Sequence, residues 1–228
     1  MSMDIVDTQH DLSWDFIGNA VFGATGENAP WVLTLTGAAP PTAALANTGG
    51  GIGEVLLSLT SDSQAQNISL TKANVLAWDI DDLIRVEFRV KMGQATLTSG
   101  NIFSFGMISN RADDHTSATA LAAFSIVGAT STTVVYAETD DNVTDTAPVS
   151  TGKTLVAAYK TFAIDFSNGK SDIRFYMDGQ PVCTGTTFSM AGYSSGLQPY
   201  IQLQKANSAN TGTATVDYVR IIARRPVA

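Results

Sequence analysis

The chain has 228 residues, with 13 Lys and Arg against 21 Asp and Glu, so its formal net charge is −8. Nucleic acids and anionic membranes bind clustered Lys and Arg, so this acidic balance excludes both as expected partners. Apolar residues make up 44% of the chain and charged residues 15%, which favours a compact core over disorder. Cys183 is the single cysteine, which excludes an internal disulfide.

Acidic residues are concentrated in the first third of the chain. The first 84 residues hold ten acidic residues and one basic residue, whereas the rest hold eleven acidic and twelve basic residues. This asymmetry predicts either an acidic segment that docks on a basic surface or a solvated acidic face. The first residues lack the basic and apolar parts of a secretory signal, so we expect no export by that route. Residues 1–30 alternate poorly and are interpreted as an N-terminal arm or edge segment, with residues 31–228 as one domain.

Alternation of apolar and polar residues with period two predicts strands along the chain. The segments with strand patterns are, in order, 31–36, 55–59, 84–92, 103–107, 119–127, 132–138, 197–204 and 213–223. Segment 84–92 alternates most strictly, with apolar residues at even positions and charged residues at odd positions. Residues 37–53 are rich in Ala, Pro and Gly and are expected to form a loop or a connection.

Residues 160–184 predict a three-stranded antiparallel meander. Asn168-Gly169 and Asp178-Gly179 lie between alternating segments, and both dipeptides supply the positive φ angles of tight hairpin turns. About ten to twelve strands without intervening helices must bury one face of each sheet against another. The sequence therefore predicts an all-β, two-sheet antiparallel jelly-roll sandwich with an extended N-terminal segment.

Few residues in the chain have the spacing that catalysis requires. The carboxylate pairs Asp79/Asp81 and Glu138/Asp140 have the i, i+2 spacing that would place two acids on one strand face, as glycoside hydrolysis needs. Both pairs lie where strands run into acidic loops, so we expect solvated acids. His115 follows Asp113-Asp114 in a polar loop and is expected to be solvated, with an acid/base role as the alternative.

Two further segments are close to known functional motifs but do not meet the requirements of those motifs. Residues 192–196 match G-x-S-x-G, but an alternating strand follows in place of the helix of a nucleophile elbow. The oxygen-rich segment 138–145 lacks the glycine of a calcium-binding EF-hand loop. We therefore predict no catalytic residue, no cofactor and no metal site, and we predict that the protein is not an enzyme.

Late segments carry a family resemblance. Phe175-Tyr176-Met177-Asp178-Gly179 forms an F-Y-x-D-G turn into the next segment, and Val216-Asp217-Tyr218-Val219 forms a late V-D-Y-V segment. Together with residues 197–205, they resemble concanavalin A-like (laminin G-like) jelly-roll domains over roughly residues 50–225. The block is similar to such domains in tailed-phage virion proteins, among them capsid decoration proteins. The E-x-D-x-E strand of the glucanase branch has no match.

The resemblance implies a structural protein of a phage particle, a decoration or cement protein that stabilises the capsid shell. Such a protein is made in the host cytoplasm and lies on the capsid surface. Its implied partners are the major capsid protein or other virion proteins, with copies of the chain forming a homo-oligomer such as a trimer. The candidate capsid or subunit contacts are Trp14, Phe16, Arg224 and Arg225.

The alternative function is a carbohydrate-binding module of a phage fibre or host-binding appendage. Aromatic rings stack on sugars and amides hydrogen-bond to sugar hydroxyls. The candidate glycan contacts are Trp78, Tyr193, Tyr200 and Gln202. This class of architecture hosts both binding and structural proteins, so the resemblance leaves both hypotheses open.

Overall fold

The computed structural model describes residues 9–15, 31–46, 53–72, 78–94 and 97–224. Strands dominate these residues, and one 3₁₀-helix of a single turn, His115–Ser117, interrupts them. The strands are β1 Gln9–Asp15, β2 Val32–Thr36, β3 Thr42–Ala46, β4 Glu54–Leu59, β5 Gln66–Thr71, β6 Trp78–Asp79, β7 Leu83–Met92, β8 Asn101–Ile108, β9 Leu121–Val127, β10 Val134–Asp140, β11 Asp145–Thr154, β12 Lys160–Asp165, β13 Arg174–Met177, β14 Gln180–Val182, β15 Gly196–Lys205 and β16 Gly212–Arg224. Within the described ranges, no helix is long and apolar enough to cross a membrane.

The strands form two antiparallel sheets. Sheet A has the order β14-β13-β12-β7-β16-β4-β3, and β1 also pairs with β16. Sheet B has the order β11-β10-β9-β8-β15-β5-β2, and β6 also pairs with β15. Neighbours such as β7 and β16, or β8 and β15, are distant in sequence, as the crossing connections of a jelly roll require. The predicted all-β, two-sheet sandwich is confirmed.

Phenylalanine rings join the two sheets across the core. The ring centroid of Phe105 in β8 lies 5.6 Å from that of Phe88 in β7 and 4.9 Å from that of Phe162 in β12. Phe124 in β9 is also 5.0 Å from Phe162, in an edge-on arrangement that aromatic pairs prefer. These rings are fully buried, so truncating one to alanine would cost about 3–5 kcal/mol.

Strand β7 confirms the clearest sequence prediction. Its even-numbered residues from Val86 to Met92 are buried in the core, and its odd-numbered residues point outward. On the outer face of sheet A, Arg85 and Glu87 form an ion pair of 3.1 Å, and Lys91 lies 3.8 Å from Glu54. This face therefore carries a network of opposite charges.

The predicted meander of β12, β13 and β14 is confirmed, but its two turns differ. Asp178 and Gly179 have φ angles of 50° and 75° and join β13 to β14 directly. Asn168 and Gly169 instead lie within the longer connection 166–173, where the N–H of Gly169 donates to the carbonyl of Phe166. The tight hairpin predicted at Asn168-Gly169 is therefore wrong.

Several segments form strands that the sequence did not indicate. Strand β3 lies within residues 37–53, which were expected to form a loop, and β5 and β11 lack clear alternation. Residues 9–15 of the predicted arm form β1, and the Asp11 carboxylate accepts a 2.9 Å hydrogen bond from Nε of Arg220. The rest of that arm, residues 1–8 and 16–30, lies outside the described residues.

Candidate functional site

The outer face of sheet B, opposite the core, is lined by hydroxyl and amide groups. Gln202 in β15 pairs with Ser69 in β5 and Ser104 in β8, and Ser104 pairs with Ser125 in β9. These residues alternate with buried core residues, so their side chains share the outer face. Hydrogen-bonding groups thus extend across four neighbouring strands, in contrast to the charged outer face of sheet A.

The same face carries two carboxylates. Glu138 and Asp140 are two positions apart on β10, so their Cα atoms lie about 7 Å apart on one face of the strand. Glu138 is only 5% exposed, and the sequence-based expectation of a solvated acid is wrong for this residue. The reason is that β10 extends to Asp140 and that a neighbouring loop covers Glu138.

That loop, residues 109–120, connects β8 to β9 and is called the covering segment here. Its His115 is 1% exposed, and Nε2 of the imidazole lies 3.1 Å from Oε1 of Glu138. The expectation that His115 is a solvated loop residue is therefore wrong. The loop folds back over sheet B, a tertiary contact that its polar local sequence does not reveal.

Further hydrogen bonds fasten the covering segment to the outer face of sheet B. They are Gln202 Nε2 donating to the carbonyl of Ala112 at 2.8 Å, Asn67 Nδ2 donating to the carbonyl of Asp113 at 2.5 Å, and Arg111 Nε donating to the Ser69 hydroxyl at 3.0 Å. In the first two bonds the sheet face supplies a side-chain amide and the covering segment a main-chain carbonyl, and in the third the segment supplies a guanidinium and the sheet a hydroxyl. The contact is polar over most of its extent.

Tyr200 lies beneath the covering segment in a small apolar cluster. Its partners there are Ile108, Ala118, Leu121 and Ala123. Burial raises the pKa of the Tyr200 hydroxyl well above its usual value, and the negative charge of Glu138 raises it further. The phenol is therefore a neutral hydrogen-bonding group at any physiological pH.

A groove opens beside the covering segment, at the end of sheet B near Asn67. It encloses about 490 Å³, with Asn67, Gln204 and Ile102 on the sheet and Asp113 and Asp114 on the covering segment. Asn67 and Gln204 are paired across β5 and β15, and Gln204 is paired with Ile102 across β15 and β8. The groove is therefore the uncovered continuation of the polar outer face.

Lys205 lines the same groove but is not a free cationic group. Its Nζ donates to the carbonyl oxygens of Thr60 at 2.6 Å, Ser208 at 2.8 Å and Asn210 at 3.1 Å, and also to that of Asp62. These four carbonyls belong to the β4–β5 and β15–β16 connections. Lys205 thus has a structural role at this end of the sandwich.

The predicted glycan contacts differ in how deeply they are buried. Gln202 is buried under the covering segment, and Tyr200 is 1% exposed, so its ring is not accessible for stacking here. Tyr193 and Trp78 are half-buried and pack against the main core, and the Tyr193 hydroxyl donates to the carbonyl of Gly196 at 3.0 Å. Their role in glycan binding stays a prediction.

The predicted capsid contacts lie largely beyond what the structure describes. The backbone of Trp14 pairs with Val219 in sheet A, while Phe16 and Arg225 lie outside the described residues. Arg224 is exposed, and its side chain donates to the carbonyl of Asp81 at 3.3 Å. The described ranges hold no group of three or more His, Cys, Asp or Glu side chains placed to bind a metal ion.

Comparisons with known proteins identify the architecture. No family model and no curated protein matches the chain. Among solved structures, a Bacillus licheniformis β-glucanase is similar at a TM-score of 0.59 and 18% identity, covering 92% of this chain and 97% of that one. The Emp47p carbohydrate recognition domain is similar at a TM-score of 0.63 and 13% identity, covering 96% and 98%. A glycoside hydrolase family 16 endo-glucanase from Bacteroides ovatus is similar at 0.61 and 12%, covering 92% and 99%.

These likenesses confirm the concanavalin A-like sandwich and correct one prediction. Two of the three similar structures are glycoside hydrolases, so the prediction that the protein is not an enzyme is wrong. It rested on the missing acid pair, yet Glu138 and Asp140 do share one face of a strand. The similar structures described here give no indication of a virion protein. The chain has the jelly-roll fold of glucanases and a carbohydrate recognition domain.

Proposed function

We propose that this protein binds a carbohydrate chain in the groove formed by Asn67, Gln204, Ile102 and the covering segment. The observation that carries this proposal is the chemistry of the groove, whose floor carries the amides of Asn67 and Gln204 beside Ile102 and whose rim carries the Asp113 and Asp114 carboxylates. Amides donate and accept hydrogen bonds, and carboxylates accept them, so together they match the paired hydroxyl groups of sugars.

The burial of Asn67 adds support. Asn67 is 4% exposed, lines the groove, and its Oδ1 atom has no hydrogen-bond partner among the described residues. A buried acceptor without a partner is unfavourable, so a ligand hydroxyl that donates to it would gain more than the same contact at an exposed site. The glucanases and the carbohydrate recognition domain of similar fold make a glycan the expected ligand class.

Affinity electrophoresis through gels containing mixed-linkage β-glucan, laminarin or mucin tests this proposal. We expect at least one polysaccharide to retard the wild-type protein and the Gln204→Ala variant to lose that retardation. Gln180→Ala, which removes an exposed glutamine from β14 in sheet A, is the matched control and should migrate as wild type. Equal retardation of both variants, or none with any polysaccharide, would refute the proposal.

Hydrolysis of a glycosidic bond is the second candidate function. It is favoured by Glu138 and Asp140, whose backbone spacing of about 7 Å is compatible with the carboxyl separations of glycoside hydrolases. Release of reducing ends from mixed-linkage β-glucan by wild type, and its loss in Glu138→Gln and Asp140→Asn, is the expected result. Retained binding without any release would assign a binding role alone.

The virion hypothesis stays a prediction. It depends on Trp14 and Phe16 as contacts and on a capsid partner, and no described side chain supports either. Its test is truncation of residues 1–25 followed by measurement of occupancy on the intact particle. Unchanged occupancy would contradict the predicted arm.

A further inference from the structure

We propose that the covering segment 109–120 is a displaceable cover and that the face beneath it is a second subsite for the same carbohydrate chain. This inference rests on the proposed function for its ligand, because the groove beside Asn67 continues under the segment. The displacement itself can be tested without any ligand.

The covering segment is built to move as a unit. Its two ends meet at the sheet, where the N–H of Ser109 donates to the carbonyl of Ala120 at 2.9 Å and the N–H of Ala120 donates to the Ser109 hydroxyl at 2.9 Å. Asn110 Oδ1 closes the neck further by accepting from the N–H of Thr119 at 3.1 Å. Compact loops with adjacent ends can change their docking without disturbing the strands that they connect.

Little apolar surface holds the cover in place. Ala118 is the one residue of the segment in the cluster around Tyr200, and the other contributions to that cluster come from β8, β9 and β15. The other contacts between the segment and sheet B are hydrogen bonds to Thr36, Asn67, Ser69, Glu138 and Gln202. Since each hydrogen bond makes only a modest net contribution in exchange with water or with a ligand, the closed position depends on a few separable polar contacts and not on an apolar core of its own.

The covered face contains hydrogen-bonding groups that the cover does not satisfy. Asn67 Oδ1, Gln202 Oε1 and Ser125 Oγ are buried on the outer face of sheet B and have no hydrogen-bond partner among the residues that the structure describes. Buried polar groups in permanent interfaces are nearly always paired. Their concentration on one face points to a surface that a polar ligand also uses.

Carbohydrate hydroxyls can replace the contacts that the cover makes. The amides of Gln202 and Asn67 donate to carbonyls of the segment, and hydroxyl oxygens accept such bonds equally well. A chain bound in the groove and extended past Asn67 would next meet Gln202, then Ser104 and Ser125, one strand after another. Longer oligosaccharides should therefore displace the cover, whereas short ones should leave it closed.

Thiol labelling of the buried face tests the displacement. In a Cys183→Ser background, Ser69→Cys places a thiol beneath the cover, where Arg111 contacts Ser69, and Ala137→Cys places one in the core as control. We expect Ser69→Cys to react at least about tenfold faster than Ala137→Cys, because a local opening exposes the former only. Equal rates would mean exposure only through global unfolding and would overturn the proposal.

A shortened loop tests the subsite. Because Ile108 and Leu121 are paired across β8 and β9, an Asn-Gly turn can replace residues 110–119 and keep the hairpin register. The replacement also removes Asp113 and Asp114 from the rim of the groove, so we expect the variant to bind a disaccharide more weakly than wild type. The ratio of hexasaccharide to disaccharide affinity should nevertheless rise about tenfold. His115→Ala keeps both carboxylates and removes the bond to Glu138, so it should raise the same ratio and serves if the shortened variant does not fold.

The outcomes separate the two proposals. Fast labelling of Ser69→Cys with no carbohydrate bound by any variant would support the cover and refute the proposed function. If wild type binds the hexasaccharide tightly and neither the shortened loop nor His115→Ala raises the ratio of hexasaccharide to disaccharide affinity, the function is supported and the second subsite is overturned. Slow labelling together with an unchanged affinity for both oligosaccharides would overturn the proposal. It would show that the segment is a permanent part of the fold and that water satisfies the buried polar groups beneath it.

Discussion

Nε2 of His115 lies 3.1 Å from Oε1 of Glu138, and both side chains are buried where the covering segment meets sheet B. This contact joins the loop between β8 and β9 to β10, the second strand after that loop. It is the closest link between the covering segment and the carboxylate pair on β10. Its removal should therefore affect stability as well as access to the face beneath.

Glu138→Ala is expected to destabilise the protein by about 2–3 kcal/mol, because a buried His115 loses its hydrogen-bond partner. Urea denaturation monitored by circular dichroism measures the change. Glu87→Ala is the control, since its ion pairs with Arg85 and Arg220 lie on the exposed face of sheet A and contribute about 0–1 kcal/mol. A loss at Glu138 no larger than that at Glu87 would contradict the buried contact.

Lys205→Met should cost about 2–4 kcal/mol, because buried carbonyl oxygens lose their donor while the side-chain volume is kept. Lys205→Arg is not expected to restore stability, since a planar guanidinium cannot take the place of a compact ammonium among four carbonyls. Thermal unfolding of both variants, with Lys153→Met at an exposed site of β11 as control, measures the effect. A change equal to the control would show that the carbonyls find other donors.

Lys72 should make stability rise with pH in the alkaline range. Burial lowers its pKa from 10.5 to about 8, so between these values the unfolded chain binds more protons than the folded protein. Stability therefore increases from pH 8 towards pH 10.5, by up to about 3 kcal/mol. Above about pH 10 the opposite contribution of buried tyrosines with raised pKa values, such as Tyr200, begins.

Urea denaturation at pH 7.5 and 9.5 measures this effect by comparing wild type with Lys72→Met. As the pH rises, the free energy of unfolding of wild type should increase relative to that of Lys72→Met. The titration of groups that both proteins share contributes equally to both and cancels in the comparison. Lys170→Met, which removes the ion-pair partner of the exposed Asp81, should show no such shift. A parallel pH dependence of wild type and Lys72→Met would contradict the lowered pKa.

The ion pair between Arg220 and Asp11 should be visible as a lowered carboxyl pKa. The hydrogen bond from Arg220 holds the pKa of Asp11 below its usual 3.8. Carbon-13 NMR titration of the side-chain carboxyl should show this lowering in wild type and a return to the usual value in Arg220→Gln. Arg224→Gln, at the end of the same strand, should leave the Asp11 titration unchanged. An ordinary pKa in wild type would mean that β1 does not dock on β16 in solution.

Strands with one solvated face could be predicted from the sequence, and strands covered on both faces could not. Strand β7 alternates strictly because its outer residues face water. Strand β5 is buried along its whole length, since the covering segment lies over one face, so its sequence shows no alternation. Strand β11 is exposed at most positions and its pairing with β10 is shifted twice, which also removes the pattern.

The candidate site was missed for a related reason. The i, i+2 spacing of Glu138 and Asp140 was visible in the sequence, but the end of β10 could not be placed from local pattern alone. His115 sits among polar residues and has no local sign of burial, because its partner Glu138 is contributed by another strand. Asn67 and Gln204 could be connected only after the pairing of β5 with β15 was known.

The ammonium group of Lys205 is surrounded by carbonyl oxygens in the way that a bound cation would be. Four main-chain oxygens from two connections converge on a charge that is covalently attached to the chain. A chelating agent cannot extract such a charge, and dilution cannot dissociate it. The closure of these connections is therefore independent of the salts dissolved around the protein.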